Sequence, residues 1–339
     1  MKDGMIVFDC VVHALDVRDA AIRDRVDGKA IQSGLGDFAR FTEADGRGPR
    51  GNVHVADGPP DTQWANEKLF GESDTDIAMV QTVPLFHAFK DGMGPAQLAY
   101  EMAQSNPDRL LFCGGVDPLF QGLPAALEEM ERQVQEWGAT SIKFYSAQSI
   151  DMAWFADDEK LAYPLWEKAI ELGIKLVQFH KGLPLAHERV EDLRPNDIQK
   201  AAFDFPDLNF GIHHMGDPYI DECINIASRF DNVYLILPLW FNQYFLQPRE
   251  MQHRLGKALL FAGPDKLCYG TDAFLWPNVQ AYIDLWAELE MPEELQEGYG
   301  YPALDRETKE KVFGLNFARA LGLDLHAKVE RLGLNAPAK

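Results

Sequence analysis

Residues 175–180 read Lys-Leu-Val-Gln-Phe-His, a short apolar run that ends on a histidine. Helix-period segments flank it, Tyr163–Leu172 on one side and Pro195–Phe203 on the other. A brief β-prone run between two helical segments reads as one strand of a parallel βαβ unit. Moving outward, runs of the same kind recur at Met5–Asp9, Asp76–Thr82, Leu110–Val116 and Ser141–Tyr145, and again at Asn209–His214, Val233–Leu237 and Leu267–Thr271. Pro124–Trp137 and Asp217–Arg229 supply further helical segments between them, and Ala139, Gly173 and Pro206 fall where a turn must precede the next strand. Eight such units predict closure into a (β/α)₈ barrel. At 339 residues the chain exceeds the ~250 of a simple barrel. The surplus is assigned to residues 32–71, rich in Gly, Asp, Pro and Arg, read as a loop insertion over the barrel mouth. No linker or repeat divides the chain, so residues 1–339 are read as one domain. Glu307–Leu321 is expected to pack outside the barrel, and residues 325–339 to form a C-terminal tail.

The polar residues that end these strands carry the functional reading. The first run continues as FDCVVH, with Asp9 and His13; the fourth holds Lys143 in SIKFY. The fifth ends at His180, the sixth at His213 and His214, and the eighth reaches Asp272 in YGTD. Barrel enzymes assemble their sites from the C-terminal ends of strands, so these side chains are expected to converge. Regular alternation places Asp9, Val11 and His13 on one face and His213 and His214 on opposite faces, so only one of the last two reaches the centre. Imidazole and carboxylate donors suit Zn²⁺ or a similar ion, and three protein ligands leave room for water or substrate. Two plainer readings compete: His180 as a core histidine bonded to a backbone carbonyl, and Asp272 as the N-cap of a following helix.

In order and spacing, FDCVVH, VQFH, HHMG and YGTD, with the ending KEKVFGLNFARALGL, resemble the amidohydrolase superfamily over nearly the whole chain. More narrowly, the sequence is similar to the branch that contains aminocarboxymuconate-semialdehyde decarboxylase and several aromatic-acid decarboxylases. The resemblance implies one divalent metal held by His13, His180 and Asp272, with Zn expected and Mn or Fe as alternatives. It also implies His214 as the catalytic acid/base and Asp272 as a second catalytic group. One departure matters. The branch places a histidine or an acidic residue where this chain has Val11, and a hydrocarbon cannot ligate metal. Some superfamily members carry a carbamylated lysine where Lys143 stands; here it is read as a structural or substrate-facing cation.

Composition bounds the rest. Lys and Arg number 32 against 53 Asp and Glu, a formal net charge of -21, which repels nucleic acid and anionic membranes. An anionic substrate then needs a local positive spot, and Arg47 and Arg50 in the insertion are candidates beside Lys143. Cys10, Cys113, Cys223 and Cys268 show no CxxC spacing and read as buried reduced thiols. No run approaches the ~20 apolar residues of a membrane span, and the N-terminus lacks a secretory pattern, which predicts a cytoplasmic protein. A homodimer is the default expectation. Two reactions fit the residues: non-oxidative decarboxylation of a small aromatic or conjugated carboxylic acid, and hydrolysis of a lactone, ester or amide. A third reading is a non-catalytic barrel whose site Val11 has spoiled.

Overall fold

The computed structural model describes residues 1–44, 58–238, 247–275 and 278–334. Its main sheet has eight strands in sequential order: β1 (Phe8–His13), β2 (Ile77–Gln81), β3 (Leu110–Gly115), β4 (Ser141–Tyr145), β5 (Leu176–His180), β6 (Asn209–His213), β7 (Val233–Ile236) and β8 (Leu267–Cys268). All neighbouring pairs are parallel. Backbone hydrogen bonds from Cys10 N–H to Tyr269 and from Asp272 N–H to Val11, with a bridge between Val12 and Ala273, join the first strand to the last. The architecture is the expected barrel; seven strands fall within their expected runs, and β1 overlaps Met5–Asp9 at Phe8 and Asp9 and runs on to His13.

Alternation along β5 shows how the sequence builds the two layers. Val177 and Phe179 pack into the outer core beneath the helices, with Phe179 against Trp166 and Phe210. Leu176 joins Phe8, Ile77, Met79, Cys113, Ile236 and Cys268 in a second cluster that fills the barrel's lower interior. Phe317 seals that end, its ring edge-on to Phe8 at 5.1 Å. Hydrocarbon therefore closes the N-terminal end, and the polar residues are left to the other end, as the fold demands.

Three expectations about chain organisation change. Much of the supposed loop insertion is helical: α1 spans Arg25–Ala44, and a helix at Thr62–Asn66 continues as a π-turn over Glu67–Gly71. Asp24 starts α1 by accepting the backbone N–H groups of Val26 and Asp27, and Asp61 does the same for Gln63 and Trp64. The tail opens as a helix, Leu325–Arg331, whose Leu325 and Val329 are buried in the inner cluster. Finally, β1 is not regular. Phe8 and Asp9 pair with Ile77 and Ala78, whereas Val12 and His13 pair with Val80 and Gln81, so two residues oppose Met79 alone. This bulge puts His13 on the inward face with Phe8 and removes Asp9 to the other face with Val12. There Asp9 accepts hydrogen bonds from the N–H groups of Val11 and Thr271 and from the Thr271 hydroxyl, pinning β1 to the residues after β8.

All four cysteines are free and buried. No helix among the described residues is long and apolar enough to cross a membrane.

Candidate active site

The C-terminal ends of β1, β4, β5 and β6, with the segment after β8, bring together His13, Lys143, His180, His213, His214 and Asp272, every one of them buried. In the β4–β5 register, Lys143 lies level with Gln178 and Tyr145 level with His180. The Tyr145 ring stacks on His180 at 4.5 Å, giving the site an aromatic wall. Lys181, next after His180, is itself buried and pairs with Asp197 at 2.8 Å. Breaking such a pair costs about 3–5 kcal/mol, so the end of β5 is firmly anchored.

His213 and His214 do not face opposite ways. The strand ends at His213, and His214 and Met215 take φ values of 56° and 48°. That left-handed turn returns His214 toward the centre while His213 still points inward from β6. The rings lie 5.5 Å apart. Gly182 permits the turn to pack: a Cβ there would stand 2.3 Å from the backbone of Gly216 and Asp217. The loops after β5 and β6 thus approach more closely than any side chain allows.

Backbone carbonyls fix the hydrogen on three of these rings. His13 Nδ1 faces the Gln81 carbonyl at 3.1 Å, His214 Nδ1 faces Pro238 at 2.8 Å, and His180 Nε2 faces Leu183 at 3.1 Å. A carbonyl only accepts, so each of these nitrogens donates, and in a neutral ring the other nitrogen is left as a bare acceptor. His180 Nδ1 stands 3.1 Å from His214 Nε2, so in neutral rings two acceptors meet there. Two acceptors in contact repel unless a proton or a cation lies between them. His13 Nε2 stands 2.9 Å from Asp272 Oδ1, a contact that is an ion pair when the imidazole carries a second proton.

Burial sets the charge states. It pushes His180 well below the usual imidazole range, with the neighbouring His214 adding to the effect, and lowers His214 to about 4 against the pull of Asp272. Burial raises Asp272, but the His13 contact and surrounding positive charge leave its carboxyl below the ordinary value. Burial likewise brings Lys143 down to about 7, partly offset by Asp272. Its ammonium sits 5.3 Å from the Tyr145 ring centre.

The donor chemistry suits a divalent ion. Ligand atoms on a tetrahedral Zn²⁺ stand about 3.3 Å apart, close to both contact distances above. The expected trio of His13, His180 and Asp272, however, is not drawn together. Among the described residues, only Asp24, Asp27 and His87 place three ligand atoms within 4.8 Å of one another. The reason is visible in the contacts: His180 turns one nitrogen to Leu183 and the other to His214. The barrel centre therefore presents two tight pairs rather than one trio. The carbonyl contact expected of a core histidine is present at His180, yet its other nitrogen faces the site. Asp272 is not a helix cap, since Asn278 caps the helix Val279–Glu288. Arg47 and Arg50 lie outside the described residues.

Gln178, expected on the inward face with His180, accepts from Gln81 Nε2 and from His213 Nε2, both at 2.9 Å, forming a polar floor beneath the histidines. Their place on inward strand positions was the available signal. Asp27, His87, His187 and Glu188 also gather at the rim, and nothing in their spacing announces it.

Comparison with known proteins follows this geometry. The family model described as Amidohydrolase matches residues 56–323. The chain belongs to the amidohydrolase family. This amidohydrolase is accordingly an enzyme of a metal-dependent family. No curated protein matches it. Among solved structures, an uncharacterized TIM-barrel protein from Bordetella bronchiseptica aligns with TM-score 0.66 at 16% identity, covering 94% of this chain and 98% of its own. A dihydroxybenzoic acid decarboxylase from Polaromonas sp. JS666, with bound manganese and the inhibitor 2-nitroresorcinol, aligns with TM-score 0.60 at 15% identity over 96% and 99%. A probable 2-pyrone-4,6-dicarboxylic acid hydrolase from Acinetobacter baumannii, with citric acid bound, gives 0.55 at 12% identity over 94% and 100%. These likenesses concern the fold of this amidohydrolase.

Proposed function

We propose that this amidohydrolase catalyses the non-oxidative decarboxylation of a small aromatic or conjugated carboxylic acid, using one divalent metal at the barrel mouth. The observation that carries the reading is the convergence of buried His13, Lys143, His180, His214 and Asp272 at the barrel mouth, with His180 against His214 and His13 against Asp272. His13, His180 and Asp272 would hold the ion, with Zn, Mn or Fe as candidates. When bound, it supplies Lewis acidity toward a carboxylate and a neighbouring hydroxyl or oxo group.

The protein's own groups then have distinct tasks. Lys143, the buried cation, receives the carboxylate of a substrate that the acidic surface would otherwise repel. Tyr145, held flat against His180, offers a face to a planar ring. His214 keeps its Nδ1 hydrogen on Pro238 and handles a proton at Nε2. That proton, taken from water, passes to the ring carbon bearing the carboxylate. The carbon–carbon bond then breaks, its electron pair returns to the ring, and CO₂ leaves; one proton is consumed per CO₂ released. General-acid help of this kind contributes ~10²–10⁴-fold. Asp272, kept ionised, balances the positive groups around it.

Hydrolysis of a lactone, ester or amide is the second reading, favoured by the same acceptor set: Asp272 would take a proton from water and His214 would polarise the carbonyl. The test is to reconstitute purified protein with Zn²⁺, Mn²⁺ or Fe²⁺ and assay hydroxylated benzoates for CO₂ release and lactones for proton release. CO₂ from the benzoates alone is expected. Turnover of lactones alone sinks the decarboxylase reading, and no turnover with either leaves the non-catalytic barrel.

A further inference from the structure

A second group of metal-competent residues stands on the rim, apart from the barrel centre. Asp24 and Asp27 begin α1, His87 follows β2, and His187 follows β5. One Asp27 carboxylate oxygen meets His87 Nε2 at 2.9 Å and the other meets His187 Nδ1 at 2.6 Å. Ser149, on the loop after β4, also hydrogen-bonds Asp27. The carboxylate is thus bracketed by loops from three different strands. Ligand atoms of Asp24, Asp27 and His87 lie within 4.8 Å of one another, which no other trio of such residues among the described residues does.

A hydrogen-bonded latch alone leaves one feature unexplained. Glu188, next after His187, is 8% exposed, and its Oε1 has no hydrogen-bond partner. It lies near enough to Asp27 for the two carboxylates to interact unfavourably. The two imidazoles, His87 and His187, are the basic groups that pair with Asp27 here. Mixed imidazole and carboxylate donors select a borderline divalent ion rather than Ca²⁺. His187, 51% exposed at its side chain, leaves an entry path.

We propose that Asp24, Asp27 and His87 form a second site for a divalent transition metal on the barrel rim, with His187 holding the other Asp27 oxygen, which ties the start of α1 to the loops after β2 and β5. Its ion would give this acidic protein a positive spot at the entrance, where an anionic substrate arrives. This site does not depend on what occupies the barrel centre.

Mn²⁺ titration of chelator-stripped protein, with bound metal counted by electron paramagnetic resonance, tests it. About two equivalents are expected for the wild type. His87→Gln and His187→Gln should each weaken one equivalent by at least ~10-fold, leaving the other intact. His180→Ala should do the reverse, and His87→Gln combined with His180→Ala should bind almost none. Unchanged stoichiometry and affinity in both rim variants overturns the proposal, as does a single wild-type equivalent that only His180→Ala removes. A single equivalent lost in the rim variants but kept in His180→Ala upholds the rim site and sinks the barrel-metal reading instead. The exposed His187 position guards against misfolding, and unaltered circular dichroism confirms it.

Discussion

The barrel centre and the rim use the same residue types and hold them in different ways. At the centre, each histidine is buried and orients through a backbone carbonyl: Gln81 for His13, Leu183 for His180, Pro238 for His214. At the rim, His87 and His187 orient through the Asp27 side chain, and both are partly exposed. The Gln81 carbonyl ends β2, and those of Leu183 and Pro238 lie two or three residues past β5 and β7, so each is a backbone group close to the sheet that keeps its histidine in one tautomer. A carboxylate on a helix moves with that helix. The contrast teaches that the fold dictates the first constellation, whereas the second depends on how loops and α1 settle against one another.

The comparison can be broken at several points. The largest effect is expected at the centre. His180→Ala should abolish turnover by ~10³-fold or more, since it removes both the acceptor facing His214 and the anchor of Tyr145; stopped CO₂ release and metal content report it. Retained activity within ~10-fold would mean that the His180–His214 and His13–Asp272 contacts are incidental. His214→Asn should lower kcat by ~10²–10⁴-fold while leaving bound metal unchanged, because its task is the proton; loss of the metal instead would make it a ligand. At the rim, Asp27→Asn keeps the shape but weakens two contacts to histidine. A destabilisation of about 1–3 kcal/mol in metal-free protein is expected, read as a denaturation midpoint, with a smaller change in turnover than either central variant.

The smallest effect is a pH dependence at the seam. Burial raises Asp9 from 3.8 to about 7, against the hydrogen bonds from Thr271 and Val11. A carboxyl with a raised folded-state value contributes stability that is complete below about pH 3.8 and is lost as pH rises through about 7. Asp9→Asn does not ionise, so the melting temperature of this variant relative to the wild type should rise between pH 5 and pH 8. A flat difference across that window would show that Asp9 is already ionised at pH 5.

The fold was legible because strand periodicity is local. KLVQFH and its seven counterparts each announce a buried parallel strand; seven lie within the run that was read, and β1 shares only Phe8 and Asp9 with Met5–Asp9 before continuing to His13. The strand-end residues were legible for the same reason. What the sequence concealed required knowledge of backbone geometry or of tertiary packing. Alternation through FDCVVH assumed a regular strand, and the bulge opposite Met79 moved Asp9 to the other face. Alternation through HHMG assumed the same, and the positive φ at His214 brought both histidines inward. The Gly in HHMG was the available hint of a tight turn. Of the Asp27–His87–His187 cluster only His87 was expected near the mouth; its meeting with Asp27 on α1 and His187 after β5 is encoded by no periodicity. The insertion looked loop-like through its glycines, yet α1 holds Gly34 and Gly36 within its length.

The seam between β1 and β8 has a consequence for how the protein is made. His13 belongs to the first strand to leave a ribosome, and its partner Asp272 belongs to the last. At ~5–20 residues per second, on the order of tens of seconds separate the two. Throughout that interval β1 has an unfilled edge, its bulge and the Asp9 carboxyl exposed to whatever else is nearby. Closure therefore comes late: Thr271 and Asp272 must arrive before β1 is pinned, and Phe317 later still before the opposite end is sealed.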